Sequence, residues 1–325
     1  MRRARRGSAL ALVVALLLTA GCADSGKDEA AERWHGGQIY LGTGNTTGVY
    51  YQLGGGLADI ITRHLDGYQA RAEPTGASGD NVVRIANGDM DIGFSLADTA
   101  ADGYEGRASF TGRPQRVQAI ARIYRNYTHV IVRKAAGISS FADLRGKRVS
   151  TGSANSGTDV IAGRLLTVAG IDPDAGITRL RLSLPETVKR MRVGEVDALF
   201  WSGGLPTPGI TDLFAAAGDT VTFLPIADLT ERLNQRFGPV YSAAELPRSA
   251  YGTARDVPTV AVANLILVSP ELPDDLVESL TRLIFMYQAE LGEVHPEGRN
   301  FDRASAADTD PVPLHPGAKR FYRSG

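Results

Sequence analysis

The chain has 325 residues, 43% of them hydrophobic and 22% charged, the composition of a folded globular protein and too apolar for a disordered one. Lys and Arg total 35 against 36 Asp and Glu, which argues against a strongly basic nucleic-acid surface. The single cysteine, Cys22, excludes a disulfide framework and a multi-cysteine zinc site.

Residues 1–22, MRRARRGSALALVVALLLTAGC, open with Arg2, Arg3, Arg5 and Arg6, continue with an apolar run from Ala9 to Leu18, and reach small residues before Cys22. A membrane-spanning helix needs about 20 apolar residues, so this shorter run predicts a secretory signal. Thr19-Ala20-Gly21-Cys22 is similar to the lipobox of bacterial lipoprotein signals. That likeness implies lipidation at Cys22 and an extracytoplasmic protein anchored to the cell membrane by its lipid. Loss of this segment removes four arginines and no acids, leaving 31 bases against 36 acids and a charge of −5. Residues 23–37 are small and charged without apolar period, and predict a flexible tether.

The body then alternates short β-like runs with helical patterns. QIYLG predicts a strand, and Tyr50, Leu53, Leu57, Ile60, Ile61 and Leu65 follow at helical spacing. DIGFSLA, VQAIARIY and THVIVRK predict further strands, the last two flanking a polar RNY turn. A second series starts at KRVSTG, passes through a helical pattern (Val160, Ile161, Leu165, Val168), and runs through RLRLS and a helix to VDALFWS. Alternation of this kind predicts an α/β protein with parallel sheets in two lobes. The two series echo each other: GTGNTTG from Gly42 resembles GSANSGT from Gly152, and GDMDIGF from Gly88 resembles GEVDALF from Gly194.

Both echoed loops put Gly, Ser, Thr and Asn between a strand and a helix. Their N–H groups and hydroxyls, with the partial positive charge of the helix start, suit a carboxylate or phosphate. Simple helix capping by Thr46, Thr47 and Ser156 is the alternative for either loop alone. Neither loop is a P-loop or a Rossmann GxGxxG. Thr75-Gly76-Ala77-Ser78, Ser95-Leu96-Ala97-Asp98 and Trp201-Ser202-Gly203-Gly204 are further polar runs, and Tyr50, Tyr51, Tyr127 and Trp201 offer flat walls. His35, His64, His129, His295 and His315 form no HExxH or paired spacing, and no GxSxG elbow is present. Asp98 and Glu186 are the acids an enzyme on this scaffold would use, but nothing here demands catalysis, a cofactor or a metal.

At this point the chain resembles the TAXI-type solute-binding receptors of TRAP transporters. The matching stretches are GTGNTTGVYYQLGGGLA, TGASGDNVVRIANGDMDIGFSLAD, SFADLRGKRVSTGSANSGT, FWSGGLPTPGI, DVPTVAVANLILV, LPDDLVESLTRLIF and VPLHPGAKRFY, in family order through nearly the whole mature chain. The resemblance implies a two-lobe α/β fold of the periplasmic-binding-protein type II kind: lobe 1 at 38–126, lobe 2 at 127–260, and a return to lobe 1 with C-terminal helices at 261–325. It implies a monomeric receptor that takes a small carboxylate, glutamate, glutamine or 2-oxoglutarate in kind, to TRAP membrane permease subunits. The ligand loops it implies are Gly44, Asn45, Thr46, Thr47, Gly48, Val49, Tyr50 and Tyr51; Thr75, Gly76, Ala77 and Ser78; Ser95 to Asp98; Ser153, Asn155, Ser156, Gly157 and Thr158; and Phe200, Trp201, Gly203 and Gly204. Asn45-Thr46 replaces a frequent Gly-Gly, and Leu96 stands where many relatives carry a glutamine. A signalling receptor, with a sensor protein in place of the permease, fits the same residues.

Overall fold

The computed structural model describes residues 33–324, so the signal, Cys22 and residues 23–32 of the tether lie outside the described residues. The body begins at Trp34, four residues before the expected start of the first lobe at residue 38. Trp34 to Gly37 form a 3-10 turn, tied down by the Trp34 indole N–H, which donates to Asp91 at 2.7 Å.

In chain order the first half runs β1 (Gln38–Gly42), α1 (Val49–His64), β2 (Gln69–Glu73), α2 (Ser78–Asn87), β3 (Ile92–Leu96), α3 (Ala97–Glu105) and β4 (Gln118–Arg133). Then come β5 (Arg148–Ser150), α4 (Gly157–Val168), β6 (Thr178–Leu180), α5 (Leu184–Arg192), β7 (Ala198–Gly203), α6 (Pro208–Ala217) and β8 (Val221–Phe223). The chain closes with α7 (Thr230–Phe237), β9 (Tyr241–Leu246), α8 (Arg248–Tyr251), β10 (Val257–Val268), α9 (Asp274–Met286), α10 (Gln288–Val294) and α11 (Pro316–Arg323).

The strands make one mixed sheet in the order β2-β1-β3-β10-β4-β7-β5-β6, with β8 added on β4 and β9 on β10. Each lobe contributes a parallel triplet, β2-β1-β3 or β6-β5-β7, and the antiparallel pair β10 and β4 joins them. One apolar core gathers Ile39, Leu53, Phe94, Ile120 and Ile266 with Leu280 and Ala318 of the C-terminal helices. A second gathers Val130, Val149, Ile161, Leu165 and Phe200. Burying each such side chain contributes about 1.5–3 kcal/mol, so the two cores hold the lobes as separate packed bodies.

The expected RNY turn is not formed. Arg125, Asn126 and Tyr127 continue β4 as a 16-residue strand that passes from one lobe to the other. A polar residue can stay in a buried strand when it is paired, and Asn126 donates to Asn264 Oδ1 of β10 at 3.0 Å.

The repeated GDMDIGF and GEVDALF motifs have one structural role. Gly88 and Gly194 both take left-handed φ, +81° in each case, where a side chain would be strained. Asp91 then accepts the Tyr40 N–H of β1 at 2.8 Å, and Asp197 accepts the Arg148 N–H of β5 at 3.0 Å. In each lobe the aspartate before the third of these strands in chain order thus holds a backbone N–H of the first.

Candidate functional site

A cleft between the lobes is lined by Gly44, Asn45, Gly48, Val49, Tyr50, Ala77, Ser78, Leu96, Tyr124, Asn126, Ser153, Ser156, Gly157, Thr158, Trp201, Ser202 and Gly203. The space between its atoms is about 440 Å³ with the mouth included. The lobes are closed on each other.

Three helix starts meet there. Gly48 precedes α1 and Ala77 precedes α2, and neither supplies a side-chain cap, so their leading N–H groups stay free of side-chain partners. Ser156 precedes α4 and accepts the Asp159 N–H at 3.0 Å. Each start adds about 0.3–1 kcal/mol of attraction for an anion, more where partly buried. Ala77 sits at φ 71° and ψ −147°, a conformation nearly reserved for glycine. The strain turns the chain from β2 into α2 at the cleft wall. Asn81 secures the same wall, donating to the carbonyls of Thr43 and Phe94, each at 2.8 Å.

A polar chain forms the floor. The Tyr50 hydroxyl donates to Asn264 Oδ1, which also accepts from Asn126; the Ser202 hydroxyl donates to Asn126 Oδ1, and the Ser202 N–H donates to Thr158 Oγ1 at 3.1 Å. Burial raises the Tyr50 hydroxyl far above its ordinary pKa, so it remains a neutral donor. Tyr124 is 1% exposed and its hydroxyl has no protein partner. Burial, then the neighbouring Tyr50 and Glu297, raises this hydroxyl well above its usual range too. Among the described residues, none that lines the cleft is charged.

Several bonds cross from one lobe to the other. Asn45 donates to Ser153 Oγ at 3.3 Å while its Oδ1 accepts the Leu184 N–H at 2.6 Å. The Gly79 N–H donates to the Asn155 carbonyl at 3.0 Å, and the Gly209 N–H to the Thr47 carbonyl at 3.1 Å. Glycine is required at this seam: a Cβ on Gly157 would lie 2.6 Å from both Leu96 Cδ1 and Ser78 Oγ.

The remaining expected residues lie elsewhere. Thr46 is exposed and Tyr51 is 36% exposed, because both point off the α1 start. Thr47 faces the seam, and Thr75 and Gly76 order their own loop through Asn81 and Asp80. The Ser95 hydroxyl donates to the Leu96 carbonyl. Asn155 is exposed and gives only its carbonyl, to Gly79. Tyr127 is half-buried among the lobe 2 apolar residues, Phe200 packs edge-on against Phe141 in the core, and Gly204 lies against Glu297 and Tyr124.

Asp98 is a clear departure from the expected ligand set. It is buried beside Arg164 at 3.2 Å and accepts from the Tyr241 hydroxyl, while Arg164 also bonds Asp102. Its charge is committed to an ion pair between α3 and α4. Glu186 is likewise paired, with Arg190 at 2.7 Å. Tyr124 and Asn126 are cleft residues that the sequence reading passed over, while Ser202 lies in a polar run it named. Asn126 was hidden by the turn reading of RNY, whereas Tyr124 looks like any other aromatic in a buried strand. Ser202, within the WSGG run, was the one with a visible signal.

Among the described residues no group of three His, Cys, Asp or Glu is placed to hold a metal. No helix of the described residues is long and apolar enough to cross a membrane.

Comparison with known proteins agrees with this architecture. The profile of the NMT1-like family matches residues 41–324. Among solved structures, PhnD1 from Prochlorococcus marinus in complex with methylphosphonate has a TM-score of 0.54 at 12% identity, covering 82% of this chain and 91% of that one. A putative L-cystine ABC transporter from Listeria monocytogenes has 0.50 at 15%, covering 82% and 98%. An ancestral arginine-binding protein bound to arginine has 0.50 at 12%, covering 80% and 97%. These likenesses show the fold, the type II periplasmic-binding arrangement of two α/β lobes.

Proposed function

The chain belongs to the NMT1-like family, and from that premise we propose that it is an extracytoplasmic solute-binding receptor for a small carboxylate. The observation that carries the reading is the meeting of three helix starts and the unpartnered Tyr124 hydroxyl in one uncharged cleft. A carboxylate there would take its hydrogen bonds from neutral donors. Each such bond to a charged group contributes about 1.5–3 kcal/mol, and three or four suffice for the roughly 8 kcal/mol of micromolar binding. Neighbours of this fold bound to methylphosphonate and arginine support capture of small polar solutes.

The finer reading follows the sequence resemblance. The receptor is of the TAXI type, takes a glutamate-, glutamine- or 2-oxoglutarate-like solute, is held by lipid on Cys22, and delivers as a monomer to TRAP permease subunits. We read it as a binding protein rather than an enzyme, since Asp98 and Glu186 are held in ion pairs with Arg164 and Arg190. Calorimetry against these carboxylates, with protein refolded to strip carried-over solute, is expected to show saturable binding. Silence across all of them would sink the proposal.

A further inference from the structure

The cleft can be asked which organic anion it would accept, and its chemistry is one-sided. Its wall supplies donors: the first-turn N–H groups of α1 and α2, which carry no side-chain cap and of which only that of Gly79 is taken, by the Asn155 carbonyl, and the Tyr124, Ser78 and Thr158 hydroxyls. An α-ammonium group would need the opposite, a carboxylate or converging carbonyl oxygens, in a field that three helix starts make positive. Among the described residues, no Asp or Glu lines the cleft.

Two acids close behind the wall are already engaged. Glu297 lies behind Gly204, where its Oε1 accepts the Leu205 N–H at 2.6 Å and its Oε2 accepts from Asn300 at 2.7 Å. Asp98 faces away into its pair with Arg164 and Tyr241. The amide oxygens at the floor are also taken, Asn264 Oδ1 by Tyr50 and Asn126, and Asn126 Oδ1 by Ser202. A buried ammonium without a partner is disfavoured by several kcal/mol.

We propose that the site selects small organic anions that carry no ammonium group, so that a 2-oxo acid binds in preference to the amino acid of the same skeleton. This rests on the carboxylate reading above and narrows it. Leu96 sharpens the discrimination, placing an apolar side chain on the wall at the start of α3.

The test uses the unaltered protein and three matched pairs in calorimetry at one pH: pyruvate with alanine, 2-oxoglutarate with glutamate, and methylphosphonate with aminomethylphosphonate. In every pair that binds, the amine-free member is expected to bind at least tenfold tighter. An amino member that binds equally or more tightly overturns the inference while leaving a carboxylate receptor intact. Preference for methylphosphonate over its amino analogue, with both carboxylate pairs silent, upholds the inference and removes the carboxylate reading. Silence in all three pairs overturns both.

Discussion

Replacing Tyr124 by Phe separates the cleft's two properties, packing and recognition. The ring stays, so its stacking on Phe301, at 6.2 Å between centroids and 9° between planes, is kept. The deleted hydroxyl has no protein partner, so no intramolecular hydrogen bond is lost and the ligand-free protein is expected to be as stable as before or more so. Binding should respond in the opposite sense. A hydrogen bond to a charged ligand contributes about 1.5–3 kcal/mol, so affinity should fall by about 10- to 150-fold. Chemical denaturation of the ligand-free variant and calorimetry with the tightest solute measure the two arms. Affinity within twofold of the parent, or a loss of ligand-free stability above about 1 kcal/mol, refutes the assignment of Tyr124 to the ligand.

Four other outcomes are expected. Gly79→Ala puts a Cβ against the Asn155 carbonyl across the seam and should hold the lobes apart; small-angle scattering should show a more open particle, with binding weakened at least tenfold. Thr158→Val keeps shape but leaves the Ser202 N–H without its acceptor, so about 1–3 kcal/mol of stability should go together with affinity, and unchanged affinity removes Thr158 from the site. Arg164→Met leaves Asp98 and Asp102 as buried charges and should lower unfolding free energy by about 3–5 kcal/mol, partly restored by adding Asp102→Asn. The pH arm concerns His129, whose ring nitrogens meet the Tyr127 carbonyl and the Tyr251 hydroxyl and whose pKa burial pushes down to about 4. The unfolded chain, with an ordinary pKa near 6.5, binds the proton first, so this stability is fully present above about pH 6.5 and drains away as pH falls towards 4. Denaturant midpoints across that range should drop in the parent and flatten in His129→Gln.

The loops that build the cleft were legible because glycine, serine and threonine between a strand and a helix have few other uses. Gly48, Ala77 and Ser156 stand where such a loop enters its helix. The echo of GDMDIGF and GEVDALF was legible for a related reason, since a left-handed glycine and a strand-fixing aspartate are needed once per lobe. Asp98 was not. Its partner Arg164 is 66 positions away, and nothing local distinguishes an acid held in an ion pair from one facing a ligand. Arg125-Asn126-Tyr127 read as a turn because polar residues interrupt an apolar run, while the Asn264 side chain that pairs with Asn126 comes from the distant strand β10. Local pattern reports the backbone well and long-range polar pairing hardly at all.

The contact between Asn126 and Asn264 lies on β4 and β10, the antiparallel pair that joins the two lobes, and the same residues form the cleft floor. Any rotation of one lobe against the other must twist β4 beside β10 at the place where a solute would rest. Sensing and moving therefore share one piece of backbone. A receptor built this way needs no separate relay from pocket to pivot, and its affinity and its opening rate cannot be tuned independently by changes at that crossing.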